Sequence, residues 1–481
     1  MNQSTHLPFR LFTISVFIAL ICPILIQDGM FMDGQQYACV AKNLSNGIGT
    51  FWFPILSQTW WKANSNFFME HPPLIYGIQS FFFTLLGESM YVERIYSLIT
   101  AILTAFLLSK IWKLTCNENK ELSKFGWLPI LLWIIIPVCF WSYQNNMQEN
   151  TMGVFTIASV FFSLKAIREN GTKTSLISIL LAGVAIFMAT FSKGLPGLFP
   201  LGIVVLYRLT HRDISISRTT LYSFILILLP VIIYSLLFLN PTAFESLKFY
   251  VNERLLQRIN NEPVVTNHFY IVYKLLIELL VPITIGAIIL IISKVKNPTI
   301  NYNHKNRNFS QLFLFIGLSG SLPLAFTPVQ RGFYLLPALP FFALAIAHYI
   351  VPALHALFQS LDSNKIILRK LMRISIMVLS GVLVYTFLQI GKSGRDKDML
   401  SDVYRLGSVI KKGSIADTDP TIYEQWNFQF YLLRYFDISL NPSLKYHFYY
   451  ITTKNSSLPI LEHYQKVSMD TKVYDLYRGG K

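Results

Sequence analysis

The chain is short of charge. Only 14% of its 481 residues are Asp, Glu, Lys or Arg, where soluble domains carry about 25%. With 53% hydrophobic residues and a mean hydropathy of +0.45, the apolar surface exceeds what one soluble core could hide, which excludes a soluble globular protein. Acid is scarcer still: 25 Asp and Glu stand against 41 Lys and Arg, a formal net charge of +16. In a soluble chain that excess would suggest nucleic acid. Here the basic residues fall in short loops between apolar runs, as orientation across a membrane requires, so nucleic acid is excluded as a partner. The four cysteines, Cys22, Cys39, Cys116 and Cys139, have neither metal-ligand spacing nor the density of a disulfide framework, and read as packing residues. No internal repeat or low-complexity tract is present. What remains is an α-helical polytopic membrane protein.

Apolar runs of roughly 17 to 25 residues mark membrane spans. About eleven are read, near 10–27, 92–111, 126–142, 152–167, 174–191, 196–209, 219–239, 270–292, 310–327, 333–351 and 372–390. A signal-peptide reading of residues 11–26 fails, because bulky Ile21 precedes Cys22 and no small residues mark a cleavage point. Alternate loops are basic, carrying Lys110 and Lys113, then Lys165 and Arg168, Arg208 and Arg212, Lys294 and Lys305, and Arg369 and Arg373. Those loops are expected in the cytoplasm together with the N-terminus. The stretch Pro72–Gly87 tempts a further span, but counting it would put every later basic loop outside. It reads instead as an interfacial helix, opened by Pro72-Pro73 and stopped by Gly87.

Two regions follow: a transmembrane domain, 1–391, whose first outer loop (28–91) carries interfacial helices, and a soluble segment, 392–481. In the latter we expect an amphipathic helix near 399–412, a strand near Thr421–Glu424, a helix near Asn427–Tyr435, and strands near Tyr446–Thr453 and Lys472–Tyr477. This alternation suggests a small extracytoplasmic α/β domain.

The candidate chemistry gathers in outer loops. Asp33 lies about six residues past the first span, where a carboxylate against the bilayer is costly without a purpose. It reads as a general base taking a proton from an attacking hydroxyl, or as a helix cap or a structural ion pair. Asp28, directly after the apolar run, reads as a structural partner or a sugar or acceptor contact, and Tyr37 shares the same loop. Glu70-His71-Pro72-Pro73 places a carboxylate and an imidazole beside a rigid turn. They could orient an acceptor or meet a phosphate, and Glu70 could equally cap the interfacial helix. Glu149 sits among amides, Gln144, Asn145, Asn146, Gln148 and Asn150, a composition suited to sugar hydroxyls or to a solvated turn. Lys193 and Arg331 are outer-loop cations against the general charge bias, fit for a lipid phosphate or for anchoring to headgroups. Arg254 and Arg258 are weaker candidates of that kind.

These residues carry a resemblance. Asp33-Gly-Gln-Gln-Tyr-Ala, Glu70-His71-Pro72-Pro73-Leu, Leu86-Gly87 and Glu93-Arg94 resemble the first outer loop of the GT-C glycosyltransferases. Within these the chain is similar to the protein O-mannosyltransferases and the bacterial lipid A aminoarabinose transferases. Phe191-Ser-Lys193-Gly194-Leu-Pro196 resembles the family's Lys-Gly-Pro loop, and Tyr334-Leu-Leu-Pro337-Ala-Leu-Pro340 its Tyr-Leu-Leu-Pro-x-x-Pro segment. The resemblance runs over about residues 10–350, with the motifs in order. It implies inverting transfer of a sugar from a polyprenyl phosphate, such as undecaprenyl phosphate, to a hydroxyl or phosphate of lipid A, another glycan or a protein. It maps the catalytic acid onto Asp33 and a second acid onto Glu70; from their charge, Lys193, Arg331 and His71 are expected on the donor phosphate. Glu149, Asn146, Tyr37 and Asp28 fall to sugar or acceptor. The implied location is a bacterial inner membrane, with the C-terminal domain in the periplasm.

Departures from the family are Gly34 after the first Asp, His71 where Lys often precedes the Pro, and Glu149 in place of an Asp. No cofactor is demanded; a divalent metal at Asp33 and Glu70 is compatible with oxygen ligands. The competing reading is a lipid or solute transporter or flippase, which would want charges at mid-bilayer and related halves. The charges here cluster at span ends.

Overall fold

The computed structural model describes residues 3–59, 66–169, 171–256, 265, 267–296, 304–445, 447–454 and 464–479. Arg258 and Tyr446, named above, lie outside them. In chain order the first helices are α1 (Gln3–Leu25), α2 (Met32–Ser45), α3 (Leu74–Leu86), α4 (Val92–Thr115), α5 (Lys120–Ser123), α6 (Trp127–Ile134), α7 (Pro137–Gln144), α8 (Gln148–Arg168) and α9 (Thr172–Lys193). Among the described residues eight helices are long and apolar enough to cross a membrane, or nine if the bent pair α6–α7 is one span. That pair turns by 79°. Ile136 is extended (φ −69, ψ 123) ahead of Pro137, because a proline disfavours helix in the residue before it.

Two expected spans take other forms. Residues 196–209 fall in a shorter apolar unit, Leu195–His211, which opens as a 3₁₀ turn over Leu195–Gly202 where Pro196, Gly197 and Pro200 interrupt α-helical bonding. Residues 372–390 overlap the helix Lys365–Phe387, which begins four residues before Arg369 on a basic first half. The segment read as interfacial forms α3, 13 residues or about 20 Å, well short of a ~30 Å hydrocarbon core. Gly87 ends it at φ 78.

By internal contacts the chain divides into two compact units, Met1–Pro23 with Ser97–Leu388, and Ile24–Tyr96 with Gln389–Lys481. The expected boundary at 391/392 separated the first outer loop from the C-terminal segment; the structure groups the two.

In the first unit, helices approach closely where small residues allow it. Gly183 on α9 faces Leu229 of the helix Ile216–Phe238, and Gly317 of His304–Ser321 faces Phe342 of Leu339–Asp362. Buried polar groups are paired across helices: Ser97 Oγ donates to the Tyr143 carbonyl at 2.6 Å, and Thr115 Oγ1 lies 3.0 Å from His348 Nε2.

In the second unit a five-stranded sheet has the order β2-β1-β3-β5-β4, with β1 Ile415–Thr418, β2 Ser439–Asn441, β3 Tyr449–Thr453, β4 Tyr464–Val467 and β5 Tyr474–Gly479. β1 pairs in parallel with β2 and β3, while β5 pairs antiparallel with β3 and β4. The helices Lys397–Val409 and Trp426–Phe436 bury Val403, Leu406, Phe428 and Leu432 with Leu440, Ile451 and Leu476 of the sheet. The strand expected at Thr421–Glu424 is a helical turn, Pro420–Tyr423. Asp419 caps it, Oδ1 accepting from the Ile422 amide at 3.1 Å, and Pro420 presets its first residue. The strand itself lies just upstream. β2 and β4 had no period-two signal because they span three and four residues. The first outer loop forms a second core with the helix Trp426–Phe436: Tyr37, Val40, Phe68 and Tyr76 pack with Phe430 and Leu433.

Candidate functional site

In the second unit, Phe31 (φ −59, ψ 143) turns the chain into α2, which places Asp33 in its first turn. There the helix dipole favours a carboxylate. Residues Gly34–Asn43, which follow, are all buried, so the half-buried Asp33 projects from an immobilised helix end. Tyr37 is buried on that helix, its ring 6.2 Å from the His71 ring in an edge contact and 6.3 Å from Tyr76. The fold thus brings Tyr37 and His71 together, with Glu70 half-buried beside His71.

Asp28 is engaged structurally. Its carboxylate accepts from Tyr404 at 2.6 Å, from Tyr435 at 2.7 Å and from the Gly29 amide at 2.7 Å, with Arg94 at 3.8 Å. Its backbone bridges Ser393. Burial, then the hydrogen bond to Asp28, pushes the Tyr404 hydroxyl well above its ordinary range, and burial does the same to Tyr435. Gly29, at φ 90, is the residue that admits this turn, since a Cβ there would meet Arg395. The structural reading of Asp28 is the one this geometry fits.

In the first unit, Glu149 is not in a solvated loop. It occupies the first turn of α8 and is fully buried. Lys193 is the last residue of α9 and donates to Glu149 Oε1. The pairing follows from length: α8 and α9 have 21 and 22 residues and follow one another closely in the chain, so the start of one lies opposite the end of the other. An acid at a helix N-terminus and a cation at a C-terminus each complement the local dipole. Among the described residues the second oxygen, Oε2, has no hydrogen-bond partner. The Lys193 ammonium also lies 5.2 Å from the Tyr334 ring and 5.8 Å from Phe333, within cation–π range.

Gly194 follows at φ 81, and a Cβ there would run into the Tyr250 hydroxyl; glycine is required by both backbone and space. Asn146 is buried in the left-handed region (φ 50), a conformation asparagine tolerates. Asn150 Nδ2 ties the turn together through Ser142 O at 3.1 Å and Ser97 Oγ at 3.3 Å. Arg331 is exposed, immediately before the 3₁₀ turn Gly332–Leu335, with no carboxylate partner among the described residues. Sequence reasoning treated Lys193 and Glu149 separately and quoted Tyr334 only within its proline motif. The near-equal helix lengths were the signal that could have paired the first two. Among the described residues no group of three His, Cys, Asp or Glu side chains converges as a metal site.

The family described as dolichyl-phosphate-mannose-protein mannosyltransferase matches residues 70–238, a segment that opens on Glu70 and contains Glu149 and Lys193. No curated protein matches the sequence. Among solved structures, ArnT from Cupriavidus metallidurans bound to undecaprenyl phosphate matches at TM-score 0.62, with 13% identity over 97% of each chain. The apo state of that protein matches at 0.59, with 13% identity over 96% of each chain. The apo Archaeoglobus fulgidus oligosaccharyltransferase matches at 0.51, with 12% identity over 95% of this chain and 62% of that one. At such identities the likeness is one of fold. The chain therefore has an ArnT-like fold and is similar to the GT-C glycosyltransferases, ArnT and the O-mannosyltransferases among them.

Proposed function

We propose that the protein is an integral-membrane glycosyltransferase that moves a sugar from a polyprenyl-phosphate donor to a hydroxyl or phosphate acceptor at the extracytoplasmic face. The observation that carries this reading is the fold shared end to end with ArnT, whose solved complex holds undecaprenyl phosphate. The same likeness favours transfer over transport.

The reaction is a single displacement. The acceptor oxygen attacks the anomeric carbon, its proton passes to Asp33, and the bond from that carbon to the phosphate oxygen breaks, releasing polyprenyl phosphate and inverting the centre. The charge that develops is on the leaving phosphate, so fixed cations there contribute most to the rate. Lys193 and Arg331 take that role, with His71 assisting. Glu149 acts as a positioning residue: it holds the Lys193 ammonium in place from a buried site. Glu70 orients the acceptor or Asp33, and Tyr37 and Asn146 contact sugar or acceptor. The acceptor is lipid A, another glycan or a protein. The setting is the bacterial inner membrane, with the N-terminus cytoplasmic and residues 392–481 periplasmic.

Transfer of labelled sugar from undecaprenyl-phosphate donors into membrane extract tests this reading, comparing wild type with Asp33→Asn. Label transferred only by wild type supports it. No transfer from several sugar donors by folded protein rejects it. Running the assay with and without chelator decides whether a divalent ion acts at Asp33 and Glu70.

A further inference from the structure

A cavity of about 500 Å³ opens in the first unit against α1, α4 and the start of α6. Its walls are graded. Arg10, Lys113 and Lys124 stand at one end, and Phe17, Ile102 and Phe106 line the rest. The gradient follows from the helices themselves, since Arg10 lies near the start of α1 and Lys113 near the end of α4. Lys124 is neutralised by Glu121 at 2.8 Å. Arg10 and Lys113 are exposed and have no carboxylate partner among the described residues. Ile102 and Phe106 are each 52% exposed, so the apolar wall is open along its length. From Ile102 to Lys113 is about 16 Å of helix, close to one leaflet of a ~30 Å hydrocarbon core.

We propose that this groove is a binding site for an anionic phospholipid, one acyl chain lying along Ile102, Phe106 and Phe17 and the headgroup phosphate on Arg10 and Lys113. Charge complementarity selects the occupant. Two uncompensated cations at the mouth of an apolar slot of leaflet length suit a diacyl lipid with a net negative headgroup. A zwitterionic lipid would set its own ammonium against them. The inference stands apart from the transfer reaction, because none of these residues has a part in it.

The test reconstitutes full-length protein with equal phosphatidylglycerol and phosphatidylcholine, then counts the lipids retained on repurification by native mass spectrometry. Wild type is expected to enrich phosphatidylglycerol roughly tenfold, since each surface cation contributes appreciably to anionic-lipid attraction. Arg10→Gln with Lys113→Gln removes the enrichment. Ile102→Trp, which leaves the charges and fills the apolar end, reduces the retained lipid. Equal retention of both lipids by wild type, or unchanged enrichment in the double variant, overturns the proposal. So does full retention in Ile102→Trp. Excess inorganic phosphate leaves the enrichment intact if the site takes a lipid; complete displacement would make it a site for free phosphate and overturn the lipid assignment.

Discussion

Arg434 and Glu93 form an ion pair buried on both sides, Nη2 to Oε2 2.8 Å, with 1% and 0% of the side chains exposed. The same guanidinium donates to the carbonyls of Glu88 at 3.1 Å and Ser89 at 2.8 Å and sits 4.7 Å from the Phe83 ring. Three features of the first outer loop and Glu93 at the start of α4 thus converge on one C-terminal arginine. Arg94 Nη1 also lies 3.5 Å from Glu93 Oε1, so removing Arg434 leaves the buried carboxylate one more distant cation, and the loss falls below the roughly 3–5 kcal/mol of a fully stranded charge. Arg434→Ala should lower the thermal unfolding midpoint, while Arg434→Met with Glu93→Leu should recover only part of the loss, because Arg94 then loses Glu93. A midpoint for Arg434→Ala equal to that of wild type would show the pair to be dispensable.

Lys193→Ala should cost both donor binding and stability, because it leaves Glu149 buried without its cation. Glu149→Gln keeps a hydrogen-bond acceptor for Lys193 and should weaken turnover more than folding. Donor binding measured by calorimetry, together with unfolding midpoints, separates the two effects. Unchanged donor affinity in Lys193→Ala would remove it from the phosphate site.

Asp33→Asn should reduce transfer by about 10²–10⁴-fold, the usual contribution of a general base, with the unfolding midpoint within a degree or two of wild type. The half-buried position at a helix start explains the second expectation, since asparagine also suits a helix N-terminus. Near-normal turnover would take Asp33 out of the mechanism.

Asp28→Asn should act on stability instead. Two tyrosine hydroxyls and an amide donate to this carboxylate, and bonds to a charged acceptor are each worth roughly 1.5–3 kcal/mol. Tyr404→Phe removes one of them and should lower the midpoint by less than Asp28→Asn. An Asp28→Asn protein of full stability and lost activity would reverse the assignment.

Glu88 gives a pH signature. Burial pushes its carboxyl up, but hydrogen bonds from Asn46 and Lys412, with the charges of Lys42 and Lys412, outweigh it and bring the pKa down from 4.5 to about 2. The folded state therefore holds the carboxylate more tightly than the unfolded one. Its contribution is fully present above pH 4.5 and is lost as the pH falls toward 2. The side chain is 42% exposed, so solvent screening keeps the effect to about 1 kcal/mol or less. Stability of wild type against Glu88→Gln, measured from pH 6 down to pH 2, should converge at the acid end. A constant gap across that range would contradict the shift.

The motif residues were legible because their chemistry is local. Asp33 six residues past an apolar run, Pro72-Pro73 ahead of an apolar stretch and Gly87 after it needed no partner to be read. The strand placed at Thr421–Glu424 went astray for a local reason too: Asp419-Pro420 is a helix-start signal, and β-branched Thr421 and Ile422 masked it. Asp28 carried no signal of its role, since Tyr404 and Tyr435 lie 376 and 407 residues away.

By itself the sequence determined the membrane class, the helical character and the alternation of basic loops, because hydropathy, charge and turn preference act over a few residues. Only the tertiary structure decided that the first outer loop shares a core with the C-terminal segment and that Glu149 is buried against Lys193. It also assigned Asp28 to a tyrosine cage. Those outcomes depend on which faces meet across the intervening chain, 44 residues for Glu149 and Lys193 and 376 for Asp28 and Tyr404, and the free energy of burial and charge pairing that selects them exists only once the chain has folded.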